Sequence, residues 1–330
     1  MTEDYIKSVP YQIKKIAVKD CSQAFMSGVR KYKKTGRAFD LSFKSRKNPK
    51  QSCYITKSAV TEQGIYRTIS GALEIKERNL LQNDIKDCRL VCENDRWFIV
   101  VPMSMRVSYI VSENQGNGDM VAIDPGVRTF ATYFSKDGHF GQFGYDAFQT
   151  VLRLQLKIDR LLSRMALEKN KKKRRNLKRS VSRVRWHIHD LVDELHNKVA
   201  LYFATNYKVV FLPTYETSQM VGKGKRRINK TVVRAMMSFR FYDFAQKLER
   251  LCVEQGGICI RCNEAYTSKT NSFSGEVMDR LGSKRRFIYN GVEVDRDLNG
   301  ARNILLRAMR DSSAHGCDSR GMISNKVAVG

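Results

Sequence analysis

Two kinds of patterning share this chain. Over residues 1–35 the apolar positions Ile13, Ile16, Ala17, Phe25 and Met26 fall roughly at helical spacing, which predicts a helix. From Arg37 to about Tyr109 the period drops to two. Phe39-Asp40-Leu41-Ser42-Phe43 alternates apolar with polar, as does the stretch around Ile65-Tyr66-Arg67-Thr68-Ile69, and Asn94-Asp95 suits a hairpin turn before the strand Trp97 to Val101. Ser112 to Gly118 reads as a polar linker. Beyond it Val121-Ala122-Ile123 is a short buried strand ending at Asp124, Thr129 to Ser135 is a second strand, and His139 to Phe143 a third. Two helices follow, one from about Tyr145 to Ala166, the other from the basic run Lys169 to Arg175 through Trp186, Leu191, Val192, Leu195 and Val199. Then come a strand at Lys208 to Leu212, a helix at Thr231 to Gln255, a strand at Gly257 to Glu264, and a helix at Asp297 to Arg310 with Ala301, Ile304, Leu305 and Met309 along one face. The polar tail after Asp311 reads as disordered.

The order β-β-β-α-α-β-α-β-insert-α implies a mixed α/β fold. It suits the RNase H arrangement, in which a meander of strands precedes strands that alternate with helices. The expected organisation is a helical region over 1–36, a small β-rich, barrel-like domain over 37–115, an α/β domain over 116–310 with an insert at 271–294, and a tail over 311–330. Such an order fixes architecture and leaves function to the residues of a site.

Charge narrows the function. The 330 residues carry a formal net charge of +27, and the sequence pI is about 9.9. A neutral small molecule calls for no such excess, whereas a polyanion does, because lysine and arginine that neutralise phosphates release counterions. Lys171, Lys172, Lys173, Arg174, Arg175, Lys178 and Arg179 form one dense run and Lys223, Lys225, Arg226 and Arg227 a second. A helix so one-signed is more than a solvated face, since like charges one turn apart destabilise it; the remaining readings are a nucleic-acid contact or a nuclear-localisation signal. No apolar run approaches membrane-spanning length, and Met1 to Lys7 carries no signal-peptide core. Eight cysteines in a chain of this length read as reduced thiols of an intracellular protein rather than a disulfide scaffold.

Two acidic positions stand out. Asp124 closes an apolar strand and precedes Pro125-Gly126, so it either opens an ordinary turn or aims a carboxylate into the open end of a sheet. Asp295-Arg296-Asp297 precedes the last helix, where an aspartate also serves as an N-cap. Carboxylates that meet in space repel one another unless a cation compensates them. Mg²⁺ is held by few carboxylates and keeps places for water and phosphate oxygens. Two such ions, about 4 Å apart, activate water and stabilise the leaving oxygen of a phosphodiester. That chemistry requires a third acid.

Several segments carry a family resemblance. Ala122-Ile123-Asp124-Pro125-Gly126-Val127-Arg128 resembles the first RuvC motif of the TnpB transposon nucleases, and Asp295 through Ile304, read Asp-Arg-Asp-Leu-Asn-Gly-Ala-Arg-Asn-Ile, resembles their third. Glu264-Ala265-Tyr266-Thr267-Ser268-Lys269-Thr270 resembles the segment before their zinc ribbon, and Val9 to Ile13 and Phe43 to Lys47 resemble stretches of their N-terminal half. The Asn-Gly-Ala-Arg-Asn form and Leu212 to Met220 look closest to Fanzor members. The resemblance covers about Val9 to Met309. It implies an RNA-guided, Mg²⁺-dependent DNA endonuclease encoded by a transposable element, working as a monomer with a guide RNA on double-stranded DNA, and nuclear where the host is eukaryotic, otherwise cytoplasmic. Asp124 then corresponds to the first acid and Asp297 to the third; Lys269 and Arg296 join the nucleic-acid contacts. The competing implication is a nuclease-dead, RNA-guided DNA-binding protein or transposon relic.

Three departures qualify this. The usual second acid falls on Pro213, so the role passes to Glu264 at the end of the neighbouring strand, or else to Glu216. The zinc-ribbon cysteines are replaced by Asn271-Ser272-Phe273-Ser274-Gly275 and Tyr289-Asn290-Gly291. Structural zinc needs four soft or imidazole ligands, and Cys259 and Cys262 precede the ribbon, so no zinc is expected. Relatives begin with a strand and helices before the stretch that Val9 to Ile13 resembles, and Met1 stands only just before it, so the guide-gripping barrel is expected to lack a strand.

Overall fold

The computed structural model describes residues 3–41, 48, 50–61, 64–67, 71, 76, 86–102, 118–214, 229–262, 270–277 and 285–314. The chain divides into two compact units, Met1–Arg106 and Val107–Gly330.

In the first unit α1 (Glu3–Ser8) leads into α2 (Tyr11–Thr35), which starts after Pro10 and stops at Gly36, whose left-handed φ of 65° lets its N–H reach the Tyr32 carbonyl. The strands β1 (Lys50–Ile55), β4 (Cys88–Glu93) and β5 (Arg96–Val100) make an antiparallel sheet in the order β1-β4-β5, while β2 (Val60–Thr61) pairs with β3 (Gly64–Ile65). The β4–β5 turn is Asn94-Asp95, both with positive φ (48° and 68°), the geometry of a two-residue hairpin. The strand expected from Phe39 does not form over Phe39–Leu41. Phe39 instead packs edge-on against Phe25 and over Gly28 of α2, so its alternation reflects contact with a helix. Only Gly64–Ile65 of the next expected strand is extended among the described residues, because Tyr66 turns to a φ of 43°.

The second unit is built on β6 (Gly118–Pro125), β7 (Ala131–Ser135), β8 (Phe140–Phe143), β9 (Tyr207–Pro213) and β10 (Ile258–Cys262), in the order β10-β9-β6-β7-β8. β6, β9 and β10 run parallel, and β6-β7-β8 is an antiparallel meander. This is the mixed α/β, RNase H-like order. α3 (Ala147–Leu167), α4 (Lys171–Asn206), α5 (Lys230–Phe239) and α6 (Phe241–Glu254) pack on one face, joining Val121, Ile123, Val210 and Leu212 in one large core. α7 (Arg296–Ala314) covers the other face, where Ala122 and Phe211 meet Ile304, Leu305 and Ala308. Successive strand residues thus serve opposite layers.

Two expectations give way here. The helix expected over Thr231 to Gln255 is two helices, broken at Arg240 with φ 46° and ψ 53°. Tertiary partners hold the break. The Arg240 guanidinium donates to Asp193 at 2.6 Å, and the Phe239 carbonyl is met by His196 Nε2 at 2.9 Å. The last helix runs past Asp311 to Ala314. Within the insert a hairpin forms from β11 (Arg286–Tyr289) and β12 (Val292–Asp295), turning at Asn290-Gly291.

Candidate active site

Asp124 lies at the end of β6, opposite Thr132 of β7. Its parity with Ala122 aims it at the α7 side of the sheet. The turn that follows needs glycine: Gly126 N–H donates to the Phe130 carbonyl at 3.2 Å, and a Cβ there would fall 2.7 Å from the Thr129 oxygen. On the facing helix Gly300 has the same necessity. A Cβ on Gly300 would stand 2.5 Å from Asp124 Oδ2, so the carboxylate lies against the first turns of α7.

The two aspartates of Asp-Arg-Asp divide their labour. Asp295 caps α7, its Oδ1 accepting from the N–H groups of Asp297 at 2.9 Å and Leu298 at 3.3 Å. Asp297, one step into the helix, lines a cavity of about 550 Å³ with Asp124, Thr132, Arg128, Arg285 and Arg296. Burial, and then the Asp295 carboxylate, push the Asp297 carboxyl above its ordinary range, while Arg285, Arg296 and Arg128 oppose the shift. Arg285 is held in place by the Tyr145 hydroxyl at 3.2 Å and by that ring, 5.1 Å below its guanidinium, with Asp295 at 3.8 Å. Two carboxylates beside three guanidiniums suit a phosphate and a hard cation bound together. Arg128, Arg285, Thr132 and Tyr145 escape the sequence reading. The Arg128 that follows Asp-Pro-Gly is the only local hint of them.

The remaining expected residues fall into two groups. Lys171, Lys172, Lys173, Arg174, Arg175, Lys178 and Arg179 all lie exposed on the first turns of α4, which Asn170 caps by accepting from Lys172 and Lys173 N–H. Glu264, Glu216, Lys223, Lys225, Arg226, Arg227 and Lys269 lie outside the described residues. Among the described residues no group of three or more His, Cys, Asp or Glu is placed to hold a metal ion, and no helix is long and apolar enough to cross a membrane. Pro213, at the end of β9, is in register with Cys262 of β10. Cys259 and Cys262 face opposite layers of the sheet and so do not chelate one ion together. The Cys259 thiol is pushed up by its hydrogen bond with Cys252 and by burial.

These features define a mixed α/β protein of RNase H-like order with one carboxylate at the end of its central strand and a second on the last helix lining the same cavity. Residues 241–304 match the family model described as Cas12f1-like, TNB domain. A putative transposase, A625R, of Paramecium bursaria Chlorella virus 1 is 30% identical over 227 residues, which is 67% of this chain and 50% of that protein. The TnpB-like protein L79 of Acanthamoeba polyphaga mimivirus is 25% identical over 56% of this chain and 36% of its own length. A solved Cas12f1-sgRNA-target DNA complex superposes with a TM-score of 0.47 at 13% identity, covering 72% of this chain and 49% of that one. The chain thus spans half or less of the length of these proteins. The chain belongs to the TnpB family.

Proposed function

We propose that this chain is an RNA-guided, Mg²⁺-dependent DNA endonuclease of a transposable element, of the Fanzor-like kind. The observation that carries the reading is the shared cavity of Asp124 and Asp297 with its three arginines. Their hard oxygen donors fit Mg²⁺, which keeps water and phosphate oxygens in its remaining positions. When bound, such ions supply an activated water and charge neutralisation at the leaving oxygen. The chain's part is to fix the acids on a strand end and a capped helix, and to hold the phosphate with Arg128, Arg285 and Arg296. Glu264, two residues beyond the end of β10 in the sequence, is the proposed third acid, on its resemblance to the acid before the family's Thr-Ser-Lys-Thr stretch. Glu216 is the alternative. The basic turns of α4 contact the guide–target backbone by shape and charge, with Lys223, Lys225, Arg226, Arg227 and Lys269 on the cleaved strand.

A second reading, a nuclease-dead RNA-guided DNA binder or transposon relic, is favoured by Pro213 standing where the family's second acid is expected. Cleavage of a matched DNA by the chain loaded with its element's RNA tells the two apart. Asp124→Ala and Asp297→Ala are expected to lose cleavage by roughly 10³-fold or more while retaining salt-sensitive RNA binding. A parent protein that binds guide and target yet cleaves nothing with Mg²⁺ or Mn²⁺ establishes the second reading.

A further inference from the structure

The insert of this chain offers zinc no ligands. From Asn263 to Ala314 there is neither cysteine nor histidine, the residues from which structural zinc takes its ligands. The two stretches where the resemblance implies ligand pairs carry Phe273 and Tyr289 instead. What stands there is a row of four flat groups. The Arg302 guanidinium of α7 lies over two rings, 5.8 Å from the centroid of Phe134 of β7 and 4.2 Å from that of Phe273. Phe273 in turn stacks on Tyr289 of β11, centroids 5.8 Å apart and planes at 16°. Arg302 Nη1 also donates to Ser272 Oγ at 3.3 Å.

Two buried amides on the same helix complete the attachment. Asn299 Nδ2 and Asn303 Nδ2 both donate to the Thr270 carbonyl, at 2.8 and 2.5 Å, and Asn299 Oδ1 accepts from Ser272 N–H at 2.9 Å. The loop they grip is closed on itself, with Asn271 N–H on the Glu276 carbonyl and Gly275 N–H on the Asn271 carbonyl, each at 2.8 Å.

We propose that this row and these amides form a metal-free latch, which fastens the insert to the sheet and positions the α7 turn carrying Asp297. Asn299 stands between Asp297 and Gly300, so the residues that grip the loop are interleaved with those that form the acidic cavity. A guanidinium over two aromatic rings from different segments supplies a cross-link in the place where metal–ligand bonds would otherwise supply one. It is reversible without chelation or redox chemistry, and it operates whether or not the chain cleaves DNA.

The test uses the full chain, with zinc content by mass spectrometry and hydrogen exchange at residues 286–295, each before and after 1,10-phenanthroline. Substoichiometric zinc and unchanged exchange are expected. Phe273→Leu keeps the apolar volume and removes the π face, so exchange in the hairpin should rise roughly tenfold while β6 and β9 stay as they were. Phe273→Tyr should restore it. Arg302→Gln should behave like Phe273→Leu. Stoichiometric zinc, or exchange that rises on chelation, overturns the proposal. So does a Phe273→Leu protein that matches the parent, or one whose protection falls equally throughout the sheet. Should Arg302→Gln fail to fold, the Phe273 pair alone decides.

Discussion

The longest helices of the two units are held in different ways. α2, with 25 residues, buries none of them. α4, with 36, buries ten, from Val181 to Ala204. α2 carries apolar residues from its first turns, Tyr11, Ile13, Ile16 and Val18, without burying them, whereas α4 opens on basic turns and then acquires a buried stripe that meets β7, β9, α3 and α6 in one core. Among the described residues, the core of the first unit is Ile55, Ile65 and Cys88 with a few half-buried neighbours. Helical stability in proteins comes mainly from packing an amphipathic face. The second unit is therefore predicted to be the independently stable part, and α2 to depend on polar ties and on whatever it binds.

The sharpest way to break this contrast is to remove one ring on each side. Phe130 is fully buried, with Phe244 at 5.0 Å, Phe241 and His196 at 5.4 Å and Phe239 at 5.7 Å. Phe130→Ala should cost about 3–5 kcal/mol by chemical denaturation. Phe25 on α2 is 51% exposed, and Phe25→Ala should stay within about 0.5 kcal/mol. Comparable losses would show that the first unit shares a cooperative core.

Acid should also act on the second unit selectively. Burial lowers the His196 pKa to about 4, assisted by Arg240 and Lys247 and opposed by the Phe239 carbonyl and Asp193. The folded state therefore resists protonation that the unfolded state accepts at about 6.5. Its contribution is full above about pH 6.5, is lost as pH falls towards 4, and levels off below. The loss is about 3 kcal/mol. His196→Gln keeps an N–H for the Phe239 carbonyl and cannot titrate, so its stability should fall less between pH 6.5 and 4 than the parent's. Identical slopes in parent and variant would place the acid sensitivity elsewhere.

Gly300→Ala separates stability from chemistry within the same unit. Alanine gains about 1 kcal/mol of helix propensity, but its Cβ takes the place of Asp124 Oδ2, 2.5 Å away. Stability should change little, whereas cleavage, on the proposed function, should fall by roughly 10²-fold, because misplacing a catalytic group by an ångström has that effect. Undiminished cleavage in the alanine protein would mean that the carboxylate has another productive position.

What could be read from sequence follows the range of the forces involved. The strand ending at Asp124 and the helix starting after Asp295 are written locally, in a short apolar run stopped by Pro-Gly and in an aspartate two residues before Asp297. The split between cap and cavity, Asp295 against Asp297, depends on hydrogen bonds that only the folded turn shows. The β11–β12 hairpin was legible in principle, since Asn290-Gly291 between Phe287-Ile288-Tyr289 and Val292-Glu293-Val294 is a strong turn signal. As a replaced ligand pair it hides that signal. The break at Arg240 has no local mark. A left-handed arginine is tolerated because Asp193 and His196, far off in sequence, hold its guanidinium and the preceding carbonyl. Arg285 lines the cavity and is held there by Tyr145, 140 residues away in the chain, beyond any pattern read along the sequence.

The smallest expected effect sharpens the comparison from the side of α2. With no buried residue, this helix is tied to the sheet of its own unit by Arg89 of β4, which donates to both Asp20 oxygens at 3.0 Å. The fork is well matched to a carboxylate, but both side chains are 42% exposed, so water and salt screen the pair. Asp20→Ala should cost only about 0.2–1 kcal/mol. A double-mutant cycle with Arg89→Ala should return a coupling of that size, shrinking in 0.5 M salt as the Debye length drops to about 4 Å. Hydrogen exchange should locate the loss in α2, with β6, β9 and α4 unaffected. A coupling well above 1 kcal/mol that persists in salt would contradict the account, because it would require the pair to be desolvated by a packed surface that α2, on its burial, does not have.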